Sequence, residues 1–247
     1  RMDSIIFEID NFFNYISVVG FSKLLRIFWF FFFFEMFRYV IVDFISLIFI
    51  KISRGLNKDK REAAIKHLFN EMPLVSILVP GKNEGKHIFK LVTSLKEQTY
   101  PHYELIIVDD GSDDDTALIC TDLKKNGYID RFIRNNVRGG KASGANTALR
   151  LSKGKFIVHL DADCSYDRDA IEQILIPFYM DKRVGAVGGN VMVRNYTDSL
   201  VTTLQAFEYI DAISIGRMVA SHLGIYRIIS GAFGAFRKDL LNRVHGW

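Results

Sequence analysis

The sequence predicts an α/β protein with a mostly parallel sheet, helices on both faces of the sheet, and a membrane helix ahead of it. From residue 73 onward, short apolar runs alternate with stretches of helical spacing, which is typical of parallel strands buried on both faces. Polar clusters follow three of these runs. Before residue 73, Phe, Ile, Leu and Val dominate instead. We therefore expect a membrane-associated segment at 1–52, a basic linker helix at 53–72 and an α/β domain at 73–247.

The first element is the apolar stretch Leu24–Ile50. Roughly 20 apolar residues span the hydrocarbon core of a bilayer, so this stretch is long enough. Glu35, Arg38 and Asp43 interrupt it, which leaves an amphipathic helix in the membrane interface or a buried helix of a soluble domain as alternatives. We favour a spanning helix, because five consecutive Phe residues at 30–34 are too lipophilic for an ordinary surface helix.

The segment that follows, residues 53–72, is basic. Positive charge next to a membrane segment indicates the cytoplasmic side, which places the α/β domain in the cytoplasm at the plasma membrane. The net charge of +4 is small and concentrated near this segment. We interpret it as attraction to a lipid bilayer, and we expect no nucleic-acid partner.

The α/β pattern begins with a β-branched run. Strands are predicted at Val75–Pro80, Leu105–Val108, Asp130–Asn135 and Phe156–Leu160, and helices at Ile88–Lys96, Asp113–Lys125 and from about Gly139 to Ser152. Ser112 or Asp113 is the predicted N-cap of the second of these helices.

Three polar clusters, Pro80–Glu84, Asp109–Gly111 and Asp161–Asp163, fall at the carboxyl ends of predicted strands. In open α/β sheets ligands bind outside those ends. The two carboxylates of Asp161-Ala162-Asp163 would repel each other unless water or a cation lay between them. A hard divalent ion completed by phosphate oxygens is the usual solution, although a solvated acidic turn is the alternative.

These motifs resemble those of a known family. The runs VSILVPGKNEG, QTYPHYELIIVDDGSDDDT, GGKASGANTAL and FIVHLDADC are similar to the nucleotide-binding half of inverting glycosyltransferases of family 2, which have a GT-A fold. VGAVGGNVMVRN and ISGAFGAFRKDLL resemble the membrane-embedded processive members, such as the synthases of cellulose, chitin, hyaluronan and poly-N-acetylglucosamine. The resemblance implies a Rossmann-like GT-A domain, a UDP-sugar donor, Mg²⁺ or Mn²⁺, a glycan or lipid-linked acceptor, and partners in envelope export.

The resemblance also assigns roles to single residues. Asp163 matches the metal ligand of the family, and Asp161 matches the carboxylate near the ribose, uracil or metal. Lys141 matches a phosphate-binding Lys, with a solvated surface Lys as the alternative. Asp110 matches the Asp that contacts the nucleoside, and its neighbour Asp109 is assigned to the same donor site. The alternative for the two residues is a turn and a helix cap, which could hold for one of them.

The remaining donor-side residues complete this set. Gly111 is expected to adopt positive φ at the turn. Pro80 ends the first strand, and Glu84 is expected to bond the uridine or brace the loop. Lys82 stands where family members often carry an aromatic residue that packs on the base, so stacking is replaced by a basic side chain.

The acceptor side is expected at Ser230, Gly231 and Ala232, where small residues allow close approach, with a glycine-rich packing strand as the alternative. The catalytic base of the family follows a Gly-Gly-Trp-like sequence, so we expect it beyond Trp247. On that reading the chain is an N-terminal portion, inactive by itself. Two other functions remain open: a non-catalytic envelope scaffold or receptor component, and a sugar nucleotidyltransferase, for which Gly81–Glu84 is a poor match.

Overall fold

The computed structural model describes residues 21–226 and 228–247 together with a few isolated positions before residue 21, so the predicted segment 1–52 lies partly outside the described residues. The chain divides into two compact units. One comprises Arg1–Gly55 and Ile215–Ile225, and the other comprises Leu56–Ser214 and Tyr226–Trp247. The second unit contains the sheet and is the α/β domain.

Within the described residues, one mixed sheet holds the α/β domain together. Its strands are β1 (Val75–Gly81), β2 (Tyr103–Asp109), β3 (Arg131–Arg134), β4 (Phe156–Leu160), β5 (Ala186–Gly188) and β6 (Phe233–Arg237). Their order across the sheet is β3-β2-β1-β4-β6-β5. Strands β1 to β4 are parallel, whereas β6 runs antiparallel to both β4 and β5. The predicted mostly parallel sheet is confirmed.

Among the described residues the α-helices, in chain order, are α1 (Phe21–Met36), α2 (Asp43–Leu56), α3 (Lys58–Glu71), α4 (Gly85–Lys96), α5 (Thr116–Lys125), α6 (Lys141–Leu151), α7 (Ala170–Met180), α8 (Leu200–Glu208), α9 (Gly216–His222) and α10 (Lys238–Arg243). Helix α4 begins three residues before its predicted start, and α5 begins three residues after its predicted start.

Alternate residues of the central strands face two separate hydrophobic cores. On one face Ile77 and Val158 pack with residues of α4, α5 and α7. On the other face Leu78 and Ile157 pack with α6 and α10. Successive side chains of a strand point to opposite faces, so strands that are apolar at every position require cover on both sides.

The basic helix α3, which was predicted as a linker, packs on the sheet-containing domain and belongs to the same compact unit. Its Ala64 and Leu68 are 4% and 0% exposed. Glu71 pairs with Lys155 and accepts a hydrogen bond of 2.9 Å from the Tyr179 hydroxyl. The apolar face of this helix therefore extends the core, and its charged face remains outside.

The membrane-spanning helix predicted over Leu24–Ile50 is not confirmed. The segment is divided into α1 and α2 by a π-helical stretch, Phe37–Val42, so the regular α-helical hydrogen bonding is interrupted. Among the helices of the described part of the chain, none combines the length and the apolar character needed to cross a bilayer. The side chains from Phe28 to Phe34 are nevertheless 56–69% exposed.

Candidate functional site

The carboxyl ends of β1, β2 and β4 meet at one edge of the sheet. Strand β1 is paired in register with both neighbours, so Gly81 lies beside Asp109, and Leu78 lies beside His159. A cleft of about 240 Å³ opens at this edge. It is lined by Pro80, Gly81, Lys82, Glu84, Asp110, Arg138, Gly140, Lys141, Asp161, Ala162 and Asp163. Most of the residues singled out on the donor side in the sequence thus surround one cavity.

Asp110 holds the glycine loop that forms one wall of the cleft. Its carboxylate accepts hydrogen bonds from Gly139 N (2.9 Å), Gly140 N (2.7 Å) and Asn135 Nδ2 (3.0 Å). Burial alone would raise the pKa of Asp110, but these hydrogen bonds outweigh it and hold the pKa below its usual value. Gly140 has φ +86°, a conformation that favours glycine. The carboxylate therefore fixes the loop immediately before Lys141.

Asp109, the other member of the pair, faces away from the cleft. It is 1% exposed and accepts hydrogen bonds from the backbone N (2.9 Å) and the hydroxyl of Ser112. Arg134 Nε lies 3.5 Å from Oδ2. These contacts agree with a turn-forming role for Asp109, and a role in nucleoside binding stays a prediction.

The turn after Asp110 contains two further predicted features. Gly111 has φ +75°, as expected, but it is not among the residues that line the cleft. The predicted N-cap at Ser112 or Asp113 is wrong, because α5 begins at Thr116. The reason is a longer loop in which Asp114 accepts hydrogen bonds from Thr116 N (3.0 Å) and Gly85 N (3.3 Å), tying this loop to the start of α4.

Lys141 and Asp161 form an ion pair inside the cleft. Lys141 is the first residue of α6, and Asp161 directly follows β4, so the pair joins two separate strand-to-helix connections. The Lys141 side chain is nevertheless 52% exposed. Phosphate binding by Lys141 therefore stays a prediction, with a solvated surface residue as its alternative.

Three carboxylates, those of Glu84, Asp161 and Asp163, crowd the same end of the cleft. Burial raises the pKa of Glu84, and the negative charge of Asp163 raises it further, with a smaller contribution from Asp161. Opposing contributions from His87 and Lys141 do not cancel this effect. The site thus carries negative charge that a cation would stabilise.

A protein-only metal cage is not formed here. Within the described residues, no group of three or more His, Cys, Asp and Glu side chains is arranged to hold a metal ion. The exposed Asp163 and the half-buried Asp161 offer carboxylate oxygens, which suit Mg²⁺ and Mn²⁺. A set of one or two carboxylates fits an ion whose remaining ligands come from a bound diphosphate and water.

Two further basic side chains, Lys82 and Arg138, line the cleft. Lys82 Nζ lies 2.9 Å from Asp113 Oδ2, which holds this Lys at the cleft wall. Arg138 also lines the cleft and contributes to the lowered pKa of Asp110. Arg138 was not identified in the sequence. Its position directly before Gly139-Gly140-Lys141 was the available signal.

The predicted acceptor-side segment, Ser230–Ala232, adjoins the cleft. Asp161 N donates a hydrogen bond of 3.2 Å to Ala232 O, and the Tyr166 hydroxyl contacts the same oxygen at 2.9 Å. His159 Nδ1 lies 2.5 Å from Gly231 O, and burial lowers the pKa of this His. A Cβ at Gly231 would lie 3.8 Å from Lys141 Nζ.

The sheet and the charged cleft at its carboxyl edge define an α/β protein with an open ligand site. The family model described as "Glycosyl transferase family 2" matches residues 76–244. The chain belongs to glycosyl transferase family 2, and the resemblance seen in its motifs is confirmed.

Individual relatives share about a third of their residues with this chain over the matched regions. The chain is 32% identical over 209 residues to a poly-beta-1,6-N-acetyl-D-glucosamine synthase of Staphylococcus epidermidis, a match that covers 85% of this chain and 49% of that protein. The corresponding synthase of Staphylococcus aureus is 30% identical over 179 residues, covering 72% and 43% of the two chains. The chain thus spans about half the length of these curated relatives.

A solved structure supports the fold. It is a mannosyltransferase from Pyrobaculum calidifontis in complex with GDP-Man and Mn²⁺. The two structures have a TM-score of 0.57 and 23% sequence identity, over 84% of this chain and 59% of the other. The predicted α/β architecture is confirmed at this level.

Proposed function

We propose that this chain is the donor-binding part of a metal-dependent, inverting glycosyltransferase that uses a UDP-sugar in polysaccharide synthesis at the cytoplasmic membrane face. The observation that carries the proposal is the cleft itself, which is lined by the carboxylates of Asp161 and Asp163 and by the basic side chains of Lys141 and Arg138. The names of the staphylococcal relatives make N-acetylglucosamine the first sugar to test.

The charges of the cleft suit the parts of a nucleotide sugar. Lys141 and Arg138 would bind the diphosphate, and Asp110 would keep the glycine loop close to it. Asp163, with Asp161, would hold Mg²⁺ or Mn²⁺. A divalent ion at this position offsets the negative charge that develops on the departing diphosphate.

Calorimetric titration of the folded chain with UDP tests the proposal. We expect binding with Mn²⁺ that is lost on chelation, and we expect Asp163→Asn to remove the metal dependence. Asp198→Asn is a matched control, because Asp198 is exposed and lies outside the cleft. Equal binding with and without chelator, or no heat from a folded sample, would contradict the proposal.

We also propose that α1 attaches the protein to a lipid bilayer. Seven consecutive apolar aromatic side chains, Phe28 to Phe34, are more than half exposed, and the basic helix α3 follows in the chain. We expect the protein to remain with membranes in high salt and in alkali. Release by salt alone would indicate attachment by the basic flank only, since screening weakens exposed charge interactions. Replacing Phe31 and Phe33 by Ser should weaken the attachment.

A further inference from the structure

Asp163 lies in a connection that belongs to neither a strand nor a helix. Strand β4 ends at Leu160 and α7 begins at Ala170, so residues 161–169 link them without regular structure of their own. The carboxylate of Asp163 is exposed, and its side-chain contact is a 3.5 Å hydrogen bond from Cys164 Sγ. A thiol is a weak donor. The place of this carboxylate in the cleft therefore depends on how the main chain of the connection is held.

The hydroxyl of Tyr166 ties this connection back to its own start. It donates a hydrogen bond of 3.1 Å to Asp161 O and accepts one of 3.2 Å from Asp161 N. Both main-chain polar groups of Asp161 thus contact one side-chain atom from further along the chain. Asp161 and Tyr166 are therefore the two ends of a short loop, and Asp163 lies within it.

The same hydroxyl contacts a second part of the sheet. It donates to Ala232 O at 2.9 Å, so its proton is shared between two carbonyl oxygens. Asp161 N also donates to Ala232 O, at 3.2 Å, which continues the antiparallel pairing of Leu160 with Phe233 by one hydrogen bond. The hydroxyl of Tyr166 therefore lies where β4 and β6 stop pairing, and it is bonded to the chain on both sides.

The ring of Tyr166 is held as well as its hydroxyl. Its centroid lies 5.3 Å from that of Phe233 in an edge-to-face arrangement, which is favourable for two aromatic rings. Tyr166, Asp163 and Ala232 also line a cavity of about 450 Å³ that adjoins the cleft. A side chain fixed at both its ring and its hydroxyl can hold in place the main chain that it contacts.

We propose that Tyr166 is a positioning residue for metal binding, whose hydroxyl holds the loop of Asp161 and Asp163 in place against the segment Ser230–Ala232. The inference rests on the proposed function, since the metal is the ion that these two carboxylates would bind. Groups that hydrogen-bond behind metal ligands typically contribute about 10–100-fold to metal affinity. Tyr166 bonds to the main chain of the loop and not to a carboxylate, so the lower end of this range is expected.

Tyr166→Phe tests the role of the hydroxyl. The variant keeps the ring, and Asp161 N keeps Ala232 O as its acceptor, so the pairing of the strands is preserved. Calorimetry measures the binding of UDP at a series of Mn²⁺ concentrations. We expect the Mn²⁺ concentration for half-maximal UDP binding to rise about tenfold, with binding restored at saturating Mn²⁺. A merely structural role would instead lower the bound fraction equally at every Mn²⁺ concentration.

Tyr103→Phe is the matched control. It removes a hydroxyl that donates a 2.9 Å hydrogen bond to Leu95 O, and Tyr103 does not line the cleft. Each Phe variant should lower the melting temperature by about 2–4 °C, the usual effect of one lost hydrogen bond in a domain of this size. The Mn²⁺ midpoint should move in Tyr166→Phe and stay unchanged in Tyr103→Phe.

A rescue variant separates the hydrogen bond from the packing of the ring. Tyr166→4-aminophenylalanine places an N–H donor at the position of the hydroxyl and should restore the Mn²⁺ midpoint of the unmodified chain. Tyr166→4-methylphenylalanine has a similar volume without a donor, and it should behave like the Phe variant. This second pair of variants gives the same comparison where Tyr166→Phe folds poorly.

Three results would overturn the inference: an unchanged Mn²⁺ midpoint in the variants without a donor, an equal rise in Tyr103→Phe, or no rescue by the amino group. UDP binding by the unmodified chain that does not depend on Mn²⁺ would reject the proposed function together with this inference. Mn²⁺-dependent binding with an unchanged midpoint in Tyr166→Phe would reject the positioning role alone.

Discussion

Replacing Asp110 by Asn should loosen the glycine loop that the carboxylate holds. The amide keeps the shape of the side chain and one accepting oxygen. That oxygen can still accept from Gly139 N and Asn135 Nδ2, which both contact Oδ1 in the structure. The other oxygen becomes a donor that faces the donor Gly140 N, which now lies 2.7 Å away.

The size of the effect follows from these contacts. Losing one charge-assisted hydrogen bond and leaving a buried donor unsatisfied costs about 2–3 kcal/mol. In a unit of this size that corresponds to a melting temperature lower by about 4–12 °C. Because Gly140 immediately precedes Lys141, the affinity for UDP should fall as well.

The same carboxylate should give a signature in acid. Its pKa is lowered in the folded state, so its contribution to stability is fully present above the unfolded pKa near 3.8 and is lost as pH falls through the folded value. The unmodified chain should therefore lose more stability than Asp110→Asn between about pH 5 and pH 3.

Thermal melts at several pH values and UDP titration measure both effects. Asp198→Asn is the matched control, because this carboxylate is exposed and does not line the cleft. A melting temperature for Asp110→Asn within about 1 °C of the unmodified chain, together with an unchanged acid profile, would refute the reasoning.

Two further substitutions test the cleft and the sheet. Lys141→Gln should weaken UDP binding about tenfold or more, since a charged contact to phosphate is worth about 1.5–3 kcal/mol. The freed Asp161 should bind Mn²⁺ more tightly in the absence of nucleotide. An equal loss of UDP affinity in Lys124→Gln, which changes an exposed Lys, would indicate a non-specific charge effect. Gly154→Ala should destabilise the domain by about 1–3 kcal/mol in denaturant titration, because its Cβ would lie 2.5 Å from Ser76 N; Gly55→Ala, with no atom within 4 Å of the added Cβ, should leave the domain unaffected.

The sequence predicted the donor side of the site because local patterns determine it. Apolar runs predict β1, β2 and β4, and parallel strands necessarily bring Glu84, Asp110 and Asp161 to one edge. Asp163 lines the same cleft because it lies two residues after Asp161.

Other features depend on contacts between distant segments and could not be read locally. The start of α5 is set by Asp114, which bonds to Gly85 as well as to Thr116. Asp109 and Asp110 are adjacent in sequence, yet they have different distant partners: the carboxylate of Asp110 accepts a hydrogen bond from Gly139 N, whereas that of Asp109 lies next to Arg134. The break between α1 and α2 lies in a run whose composition alone favours one continuous helix.

The position of the acceptor side follows from the one antiparallel strand. Leu160 at the end of β4 pairs with Phe233 at the start of β6, so the residues before Phe233 arrive at the carboxyl edge of the sheet. Strand β5 runs the other way beside β6, so Gly188 also ends at that edge. A parallel β6 would place Ser230–Ala232 at the opposite edge, away from Lys141. The reversal of this single strand is therefore what brings the predicted acceptor-side segment next to the cleft.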